Sequence, residues 1–368
     1  MTIYDKPKFS EVFGARGQHT TPKTAEHYTK NASVWKFLQE TRGEAGANHI
    51  AEAITTSDFD YILTTNMNAQ LIDLYSYDVP SYTKWTRGIS VPDFKANPLP
   101  YLNDISGLMD EITETTESTY GNMTDGQYSI TAAPFEKKIK LTRKDIVNDA
   151  LNAFRSIPRS FSRMAARTIE YKATQKIADV DGPDATLFTG GNANLITSEL
   201  SYTALEEAWK KMAAQTNPNG DPIFSSPKGI IVPKQLEPVA RRIVSAMEIE
   251  TISEDGSGVG FRSKSDNMFK GLEIAVAPYI TTVSTSNTYA AKQWYMYADP
   301  AQSPTVAVAT LQGNPDPKIY SKAPDAVVVG GGSVPYSFQN NTLEWKVGWD
   351  LGFAQIDYRG MVASKPAS

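Results

Sequence analysis

Hydrophobic positions recur at helical spacing along residues 142–179, in the middle of the chain. This spacing of three to four residues predicts one long amphipathic helix, which we call the spine. Thr142, followed three residues later by Asp145, fits the start of that helix. Pro158 predicts a kink or the opening of a second segment, because proline lacks a backbone N–H. The apolar side carries Phe161, Met164, Ala165 and Thr168, with Ile169 and Ala173 at its edge.

The opposite side of the predicted spine is basic. Its row of arginines consists of Arg155, Arg159, Arg163 and Arg167. Three interpretations are open for such a row. The first is a solvated helix face, and the second is a surface that neutralises nucleic-acid phosphates. The third is a surface that pairs with acidic side chains.

An acidic stretch precedes the spine, since residues 96–136 contain no lysine or arginine. The stretch is too long for an ordinary connection, and its β-branched content favours an extended hairpin. A fold-back onto the adjoining spine is awkward, so we expect the loop of one copy to reach the arginines of another. The candidate acidic contact residues are Asp104, Asp110, Glu111, Glu114, Glu117 and Asp125.

Near the end of the chain, hydrophobic and polar residues alternate strictly, as in a half-buried strand. We expect the apolar face of the spine to back this strand. The alternating apolar positions are Leu343, Trp345, Val347, Trp349, Leu351 and Phe353.

Between the spine and this last strand, helical and strand patterns alternate and predict a second, α/β unit. Thr203 and Glu206 predict a capping box at the start of a helix. Residues 252–266 are rich in glycine, serine and aspartate, which predicts a mobile surface loop. The N-terminal residues have weak periodicity, so we expect an arm that lies on other surfaces, with a disordered tail as the alternative.

Composition excludes several classes of function. The chain of 368 residues has a net charge of -5, unlike a dedicated nucleic-acid binder, and no cysteine for disulfides or thiolate sites. No apolar run is long enough to span a bilayer, and the first residues do not resemble a signal peptide. We therefore expect a protein that is made in a cytoplasm and does not enter a membrane.

Candidate catalytic chemistry is sparse. All three histidines lie within the first 49 residues, so a serine hydrolase site has no base elsewhere in the chain. The glycines at 330–332 follow a short apolar run but lack the third glycine and the helix of a dinucleotide fingerprint. We predict that the protein is not an enzyme and holds no cofactor or metal.

Four local motifs, taken with the order of the predicted elements, resemble the tailed-phage major capsid proteins of the Hong Kong ninety-seven fold. Each motif alone is weak, and their order and spacing carry the resemblance over about residues 60–360. The motifs are Leu187–Leu195 after the spine, Ile230–Ala240 with its strand, proline and helix, Trp294–Pro300, and Phe353–Gly360.

The resemblance implies an α+β fold with an N-terminal arm, an extended β-hairpin loop, a peripheral domain that contains the spine helix, and an α/β axial domain. Its implied boundaries are 1–62 for the arm, 63–92, 136–200 and 336–368 for the peripheral domain, 93–135 for the loop, and 201–335 for the axial domain.

The resemblance also implies a function. Such subunits form the hexamers and pentamers of an icosahedral head around double-stranded DNA, assembled in the host cytoplasm and located in the virion capsid. Implied partners are other copies, portal, scaffolding or decoration proteins, and non-specifically bound DNA on the inner face. The alternative is an encapsulin-like compartment of the same fold that encloses enzyme cargo.

Overall fold

The structure is a computed structural model that combines helices and sheets in one chain, which confirms the predicted α+β class. The predicted arm lies outside the part of the chain that is described. The described residues are 68, 71–72, 81–102, 125–142, 151–218, 220–223, 225–254, 260–322, 326–327, 333–334, 337, 339–340 and 342–367.

The elements with described bounds are four α-helices, eighteen strands and four short 3-10 turns, and residues 68 and 71–72 are also helical. The helices are α1 (Leu151–Thr174), α2 (Tyr202–Ala213), α3 (Glu237–Ser245) and α4 (Ile280–Val283). The strands are β1 (Thr86–Val91), β2 (Asn97–Leu102), β3 (Asp125–Ile130), β4 (Ala132–Thr142), β5 (Ala178–Asp179), β6 (Gly182–Pro183), β7 (Leu195–Ile196), β8 (Pro227–Val232), β9 (Glu248–Glu254), β10 (Gly260–Asp266), β11 (Glu273–Val276), β12 (Trp294–Ala298), β13 (Val306–Leu311), β14 (Lys318–Ser321), β15 (Ala326–Val327), β16 (Ser333–Val334), β17 (Thr342–Gln355) and β18 (Met361–Ser364). The 3-10 turns are Ser81–Lys84, Lys234–Leu236, Ala290–Lys292 and Tyr358–Gly360.

Two five-stranded sheets organise the larger of two compact units. The β17 sheet has the order β1-β13-β17-β14, with β4 also pairing with β17, and the β12 sheet has the order β11-β8-β12-β18-β7. This unit comprises Asn68–Ile139, Arg155–Tyr320 and Trp345–Ser368. The smaller unit comprises Met1–Met67, Lys140–Phe154 and Ser321–Glu344 and includes the short antiparallel pair β15–β16.

Strand β12 is buried on both faces, and all five of its residues are buried. Trp294 and Met296 share a core with residues of α2 and α3. Tyr295 and Tyr297 point the other way and share a core with residues of α1. Because successive side chains of a strand point to opposite faces, an uninterrupted apolar run is what a strand covered on both sides requires.

Strand β17 packs against α1, as its alternating pattern predicts. Trp349 and Leu351 lie in the same core as Ala165 and Ile169 of α1. The indole Nε1 of Trp349 donates a hydrogen bond of 2.9 Å to the carbonyl oxygen of Pro315, so the polar end of this buried ring is satisfied. The last part of the chain therefore covers its middle helix.

The helix α1 is shorter than the predicted spine. It is one element that runs through Pro158, so no second segment opens there. After Thr174 a tight turn takes over, in which the N–H of Ile177 donates to the carbonyl of Thr174 at 3.1 Å, and β5 follows. Thr142 is the last residue of β4, and residues 143–150 between it and α1 lie outside the described part.

Two further sequence predictions are wrong. The N-cap of α2 is Ser201, whose side chain accepts from the N–H of Ala204, and Thr203 is already inside the helix. Residues 252–266 were expected to form a mobile loop, but β9 and β10 pair there as an antiparallel hairpin. The glycine and serine residues of this segment are thus compatible with two paired strands. Residues 255–259, which connect the two strands, lie outside the described part.

The sheets also cross the predicted boundary at residue 335. Strand β13 comes from the predicted axial segment but pairs with β17. Strand β18 comes from the last segment but pairs with β12, with Ala363 opposite Tyr295. Each sheet is thus built from segments that are distant in sequence, and the division into peripheral and axial domains stays a prediction.

Candidate inter-subunit surface

The exposed side of α1 carries the predicted basic row. Its buried positions Phe161, Ala165, Ile169 and Ala173 repeat every four residues. Arg159, Arg163 and Arg167 are exposed, and each precedes a buried position by two residues, which places it roughly 200° around the helix. Arg155 continues the row by spacing, and its side chain is outside the described part.

These arginines form a positive surface without acidic partners among the described residues of their own chain. Among the described residues, the ion pairs lie elsewhere, for example Lys84 with Glu273 at 3.1 Å and Lys346 with Glu136 at 2.7 Å. None of them involves Arg159, Arg163 or Arg167. Three exposed guanidinium groups in a row can each donate several hydrogen bonds to carboxylates or phosphates.

One acidic residue of α1, Glu170, is buried and is not part of the basic row. Its carboxylate accepts hydrogen bonds from the hydroxyl of Ser81 and from the N–H of Tyr82 at 3.1 Å. Burial raises the pKa of Glu170, and the hydrogen bonds from Ser81 and Tyr82 oppose this rise. This contact holds the 3-10 turn Ser81–Lys84 against α1. The chain continues from this turn into β1 and then into β2. The sequence pattern gave no reason to single out this residue.

The predicted extended loop appears in the structure as the antiparallel pair β2–β3, which confirms the predicted hairpin in its described strands. Leu102 stands opposite Asp125 at the far end of the described register. Asp125 is the single predicted acidic contact residue within the described part. The other five, namely Asp104, Asp110, Glu111, Glu114 and Glu117, lie outside it, so their contact with a neighbouring arginine row stays a prediction.

A groove of about 620 Å³ lies at the C-terminal end of α1. Lys172, Lys176 and Asp179 contribute its charged side chains. Its apolar wall includes Phe135 and Phe353, whose rings meet edge to face at 6.3 Å. The groove joins segments that are far apart in sequence, and no sequence pattern points to it.

Two of the motifs quoted from the sequence, Leu187–Leu195 and Phe353–Gly360, meet at one place. The buried amide of Asn194 donates to the carbonyl oxygens of Leu187 at 2.9 Å and Tyr358 at 3.2 Å. Gly360 lies so close to the 303 backbone that an added Cβ would be 2.3 Å from the oxygen of Ser303. These contacts hold the segment between α1 and β7, and the segment between β12 and β13, against the closing turn, and their role is structural.

Within the described ranges, no group of three acidic, histidine or cysteine residues is placed to hold a metal ion. Over the same residues, no helix is long and apolar enough to cross a membrane.

Comparisons with known proteins place these observations in a family. The family model described as phage capsid protein matches residues 127–364. The comparison with curated proteins finds no match.

Several solved structures are similar at low identity. One from Gordonia phage Cozz has a TM-score of 0.49 and 11% identity over 78% of this chain and 86% of that chain. One from Microbacterium phage Oxtober96 has a TM-score of 0.48 and 9% identity over 78% of this chain and 90% of that chain. The SrpI encapsulin of Synechococcus elongatus has a TM-score of 0.44 and 8% identity over 78% and 87% of the two chains. The family assignment rests on the sequence match alone.

Proposed function

Because this chain belongs to the phage capsid protein family, we propose that its copies assemble as hexamers and pentamers into an icosahedral shell around double-stranded DNA. The protein is a structural subunit of a phage capsid and is located in the virion. The absence of catalysis is part of the proposal, as are portal, scaffolding or decoration proteins as further partners.

The observation that carries the proposed assembly mode is the exposed arginine row of α1. Three positive side chains, Arg159, Arg163 and Arg167, face solvent without an acidic partner in the described part of their own chain. The same chain supplies an acidic stretch, residues 96–136, that contains no lysine or arginine. We place this stretch of one subunit on the arginine row of its neighbour.

Electrostatics sets the scale of this contact. A single exposed ion pair contributes only about 0–1 kcal/mol. Several pairs in register discriminate between correct and incorrect neighbours, because like charges brought together cost free energy. The proposed contact therefore determines which subunits associate and in what register, more than how stable each subunit is.

Two other arrangements compete with this one. In the first, the arginines line the inner wall and neutralise DNA phosphates. In the second, the shell is an encapsulin-like compartment with protein cargo. The contents of the shell distinguish a DNA-filled head from a cargo compartment, since packaged DNA and protein cargo differ in density and in nuclease sensitivity.

Charge reversal tests the contact between neighbours. The double change Arg159→Glu and Arg163→Glu should abolish shells, and reversing Glu111 and Glu114 to lysine in the same chain should restore them. Lys210→Glu, on the exposed side of α2, is the matched control and should leave assembly unchanged. Sedimentation of purified particles measures the yield.

Electron microscopy of the shell provides the second test. Guanidinium groups of the row within ion-pair distance of a neighbour's Asp110–Glu117 support the proposal. Arginines that point into the lumen, with the acidic loop elsewhere, would contradict it.

A further inference from the structure

The two edges of the hairpin β2–β3 differ in what they can bind. The six-residue register pairs Pro98 with Ser129 and Pro100 with Gln127. In an antiparallel ladder, residues that stand opposite each other either both bond inward or both point their backbone groups outward. The position of the two prolines therefore determines the orientation of the whole hairpin.

Pro98 and Pro100 must lie at outward-pointing positions of β2. Proline has no N–H, so at an inward position it would remove a hydrogen bond from the ladder that joins β2 to β3. The inward bonds then come from the alternate residues Asn97, Leu99 and Tyr101. The outer edge of β2 consequently lacks two successive donors and cannot accept a further strand in regular register.

The outer edge of β3 is different. Gln127 and Ser129, opposite the two prolines, direct their backbone N–H and C=O groups away from β2. No other strand of the described part pairs with β3, because β2 and β3 form a sheet of two strands. The hairpin therefore has one blocked edge and one edge with donors and acceptors at regular spacing.

The hairpin packs in its own subunit, where buried Ile130 of β3 and partly buried Leu99 of β2 share a core with Ala307 and Ala309 of β13. The outward backbone groups of Gln127 and Ser129 have no partner strand among the described residues, so an added strand along that edge is what would pair them.

A copy of the same chain is the occupant that charge favours. The hairpin region, residues 96–136, contains no lysine or arginine, whereas Lys137, Lys138 and Lys140 follow at once along β4. Attraction is therefore available between copies, where the acidic hairpin of one meets a basic segment of another.

We propose that β3 adds a strand of a second copy along its outer edge through the backbone of Gln127 and Ser129, while Pro98 and Pro100 keep β2 from doing the same. This inference rests on the proposed shell and specifies how one contact within it is made. One-sided addition gives each hairpin a single partner, so that association proceeds in one direction around a ring of subunits and does not extend from both edges.

A proline substitution on the open edge tests the proposal. Gln127→Pro removes the outward N–H and makes β3 resemble β2, while Gln127→Ala changes the side chain and keeps the N–H. We expect Q127A and the unchanged chain to form shells equally well. For Q127P we expect at least about a tenfold loss of shell yield, because a lost hydrogen bond is repeated at every interface. Pro100→Ala, on the blocked edge, should leave the yield of shells unchanged.

Three measurements separate the outcomes. Equal melting temperatures of the unassembled Q127P and Q127A chains, with shells lost only for Q127P, support the proposal, and shells at full yield for Q127P overturn it. If Q127P melts lower, amide exchange in the unchanged chain decides. Slow exchange at Gln127 and Ser129 in shells but not in unassembled subunits supports a second copy. Slow exchange already in unassembled subunits means that another part of the same chain pairs with β3, and overturns the proposal.

The proposed function fails differently. If neither the unchanged chain nor Q127A forms shells under any condition, the shell itself is contradicted, whatever the edge of β3 does.

Discussion

The β12 sheet and the hairpin β2–β3 are both built from extended chain, but they depend on different surroundings. Strand β12 has both faces buried within its own subunit, with α1 on one side and α2 and α3 on the other. The hairpin has two strands and an edge of β3 that no described strand covers. The comparison teaches that the β12 sheet is covered on both faces within its own subunit, while β3 keeps an open edge, where we propose that another copy adds a strand.

The largest effect should come from the self-sufficient part. Trp294 is fully buried in β12, and its Nε1 donates to the carbonyl of Ser198 at 3.2 Å. Trp294→Ala should lower the free energy of unfolding by about 3–5 kcal/mol, since it leaves a cavity in a packed core. Denaturant titration of unassembled subunits measures this loss. A loss below about 1 kcal/mol would mean that the β12 sheet is not the core we describe.

A second core position sharpens the comparison from the other sheet. Trp349 is buried between β17 and α1, and Trp349→Ala should cost a similar amount, about 3–5 kcal/mol. The same titration applies, with Trp209→Ala on the exposed side of α2 as control. If Trp349→Ala lowers the free energy of unfolding as little as the control Trp209→Ala does, then β17 does not pack on α1.

The N-cap of α2 gives an intermediate effect. Ser201 accepts a hydrogen bond of 3.2 Å from the N–H of Ala204, which satisfies one free donor at the helix start. Ser201→Ala should cost about 1 kcal/mol in unfolding free energy, and Thr203→Ala should cost clearly less. The reverse ranking in thermal melts would restore the capping box predicted from the sequence.

The buried carboxyl of Glu170 should give stability a pH dependence. Burial raises its pKa above the ordinary value of 4.5, so the folded chain holds this proton more tightly than the unfolded chain. The contribution of Glu170 to stability is therefore greatest below pH 4.5 and falls as the pH rises toward the raised pKa. Glu170→Gln removes this titration. The free energy of unfolding of the unchanged chain should therefore fall relative to that of the Glu170→Gln chain as the pH rises from 4.5 through the raised pKa. Parallel pH curves would show that Glu170 does not titrate in this way.

The smallest effect in unassembled subunits should come from the hairpin. Tyr128 lies in β3 opposite Leu99, and Tyr128→Ala should change the melting of unassembled subunits only slightly, within about 0.5 kcal/mol. The same change should lower the stability of assembled shells more strongly, which light scattering during a thermal ramp can record. A large effect in the free subunit would show that the Tyr128 ring, like the buried side chain of Ile130, contributes to the subunit's own core.

The two regions also differ in how far the sequence could predict them. Strict alternation in Trp345–Phe353 and the apolar run at Trp294–Tyr297 are local signals, and the strands there are confirmed. The exposure of Arg159 and Arg163 was also predictable, because it follows from the helical spacing of the apolar positions in α1, which is a local signal too. Local patterns succeed wherever one face is buried over several turns or residues.

Contacts between distant segments could not be predicted. Glu170 is buried because Ser81 and Tyr82, far earlier in the chain, cover and bond its carboxylate. The groove at Lys172 and Lys176 requires β4 and β17 to meet the end of α1. The hairpin β9–β10 was missed because glycine and serine in its sequence outweighed the β-branched residues of its strands. The N-cap of α2 was assigned to Thr203 instead of Ser201 because both residues carry a hydroxyl that can cap a helix, and they lie two residues apart.

The central claim, that the β12 sheet is complete within one subunit and the hairpin is completed by a neighbour, can be measured directly by hydrogen exchange on unassembled subunits and on shells. We predict slow exchange of the β12 amides in both samples. For the outward amides of Gln127 and Ser129 we predict fast exchange in free subunits and slow exchange in shells. Equally slow exchange of these two amides in free subunits, or equally fast exchange in shells, would contradict the account.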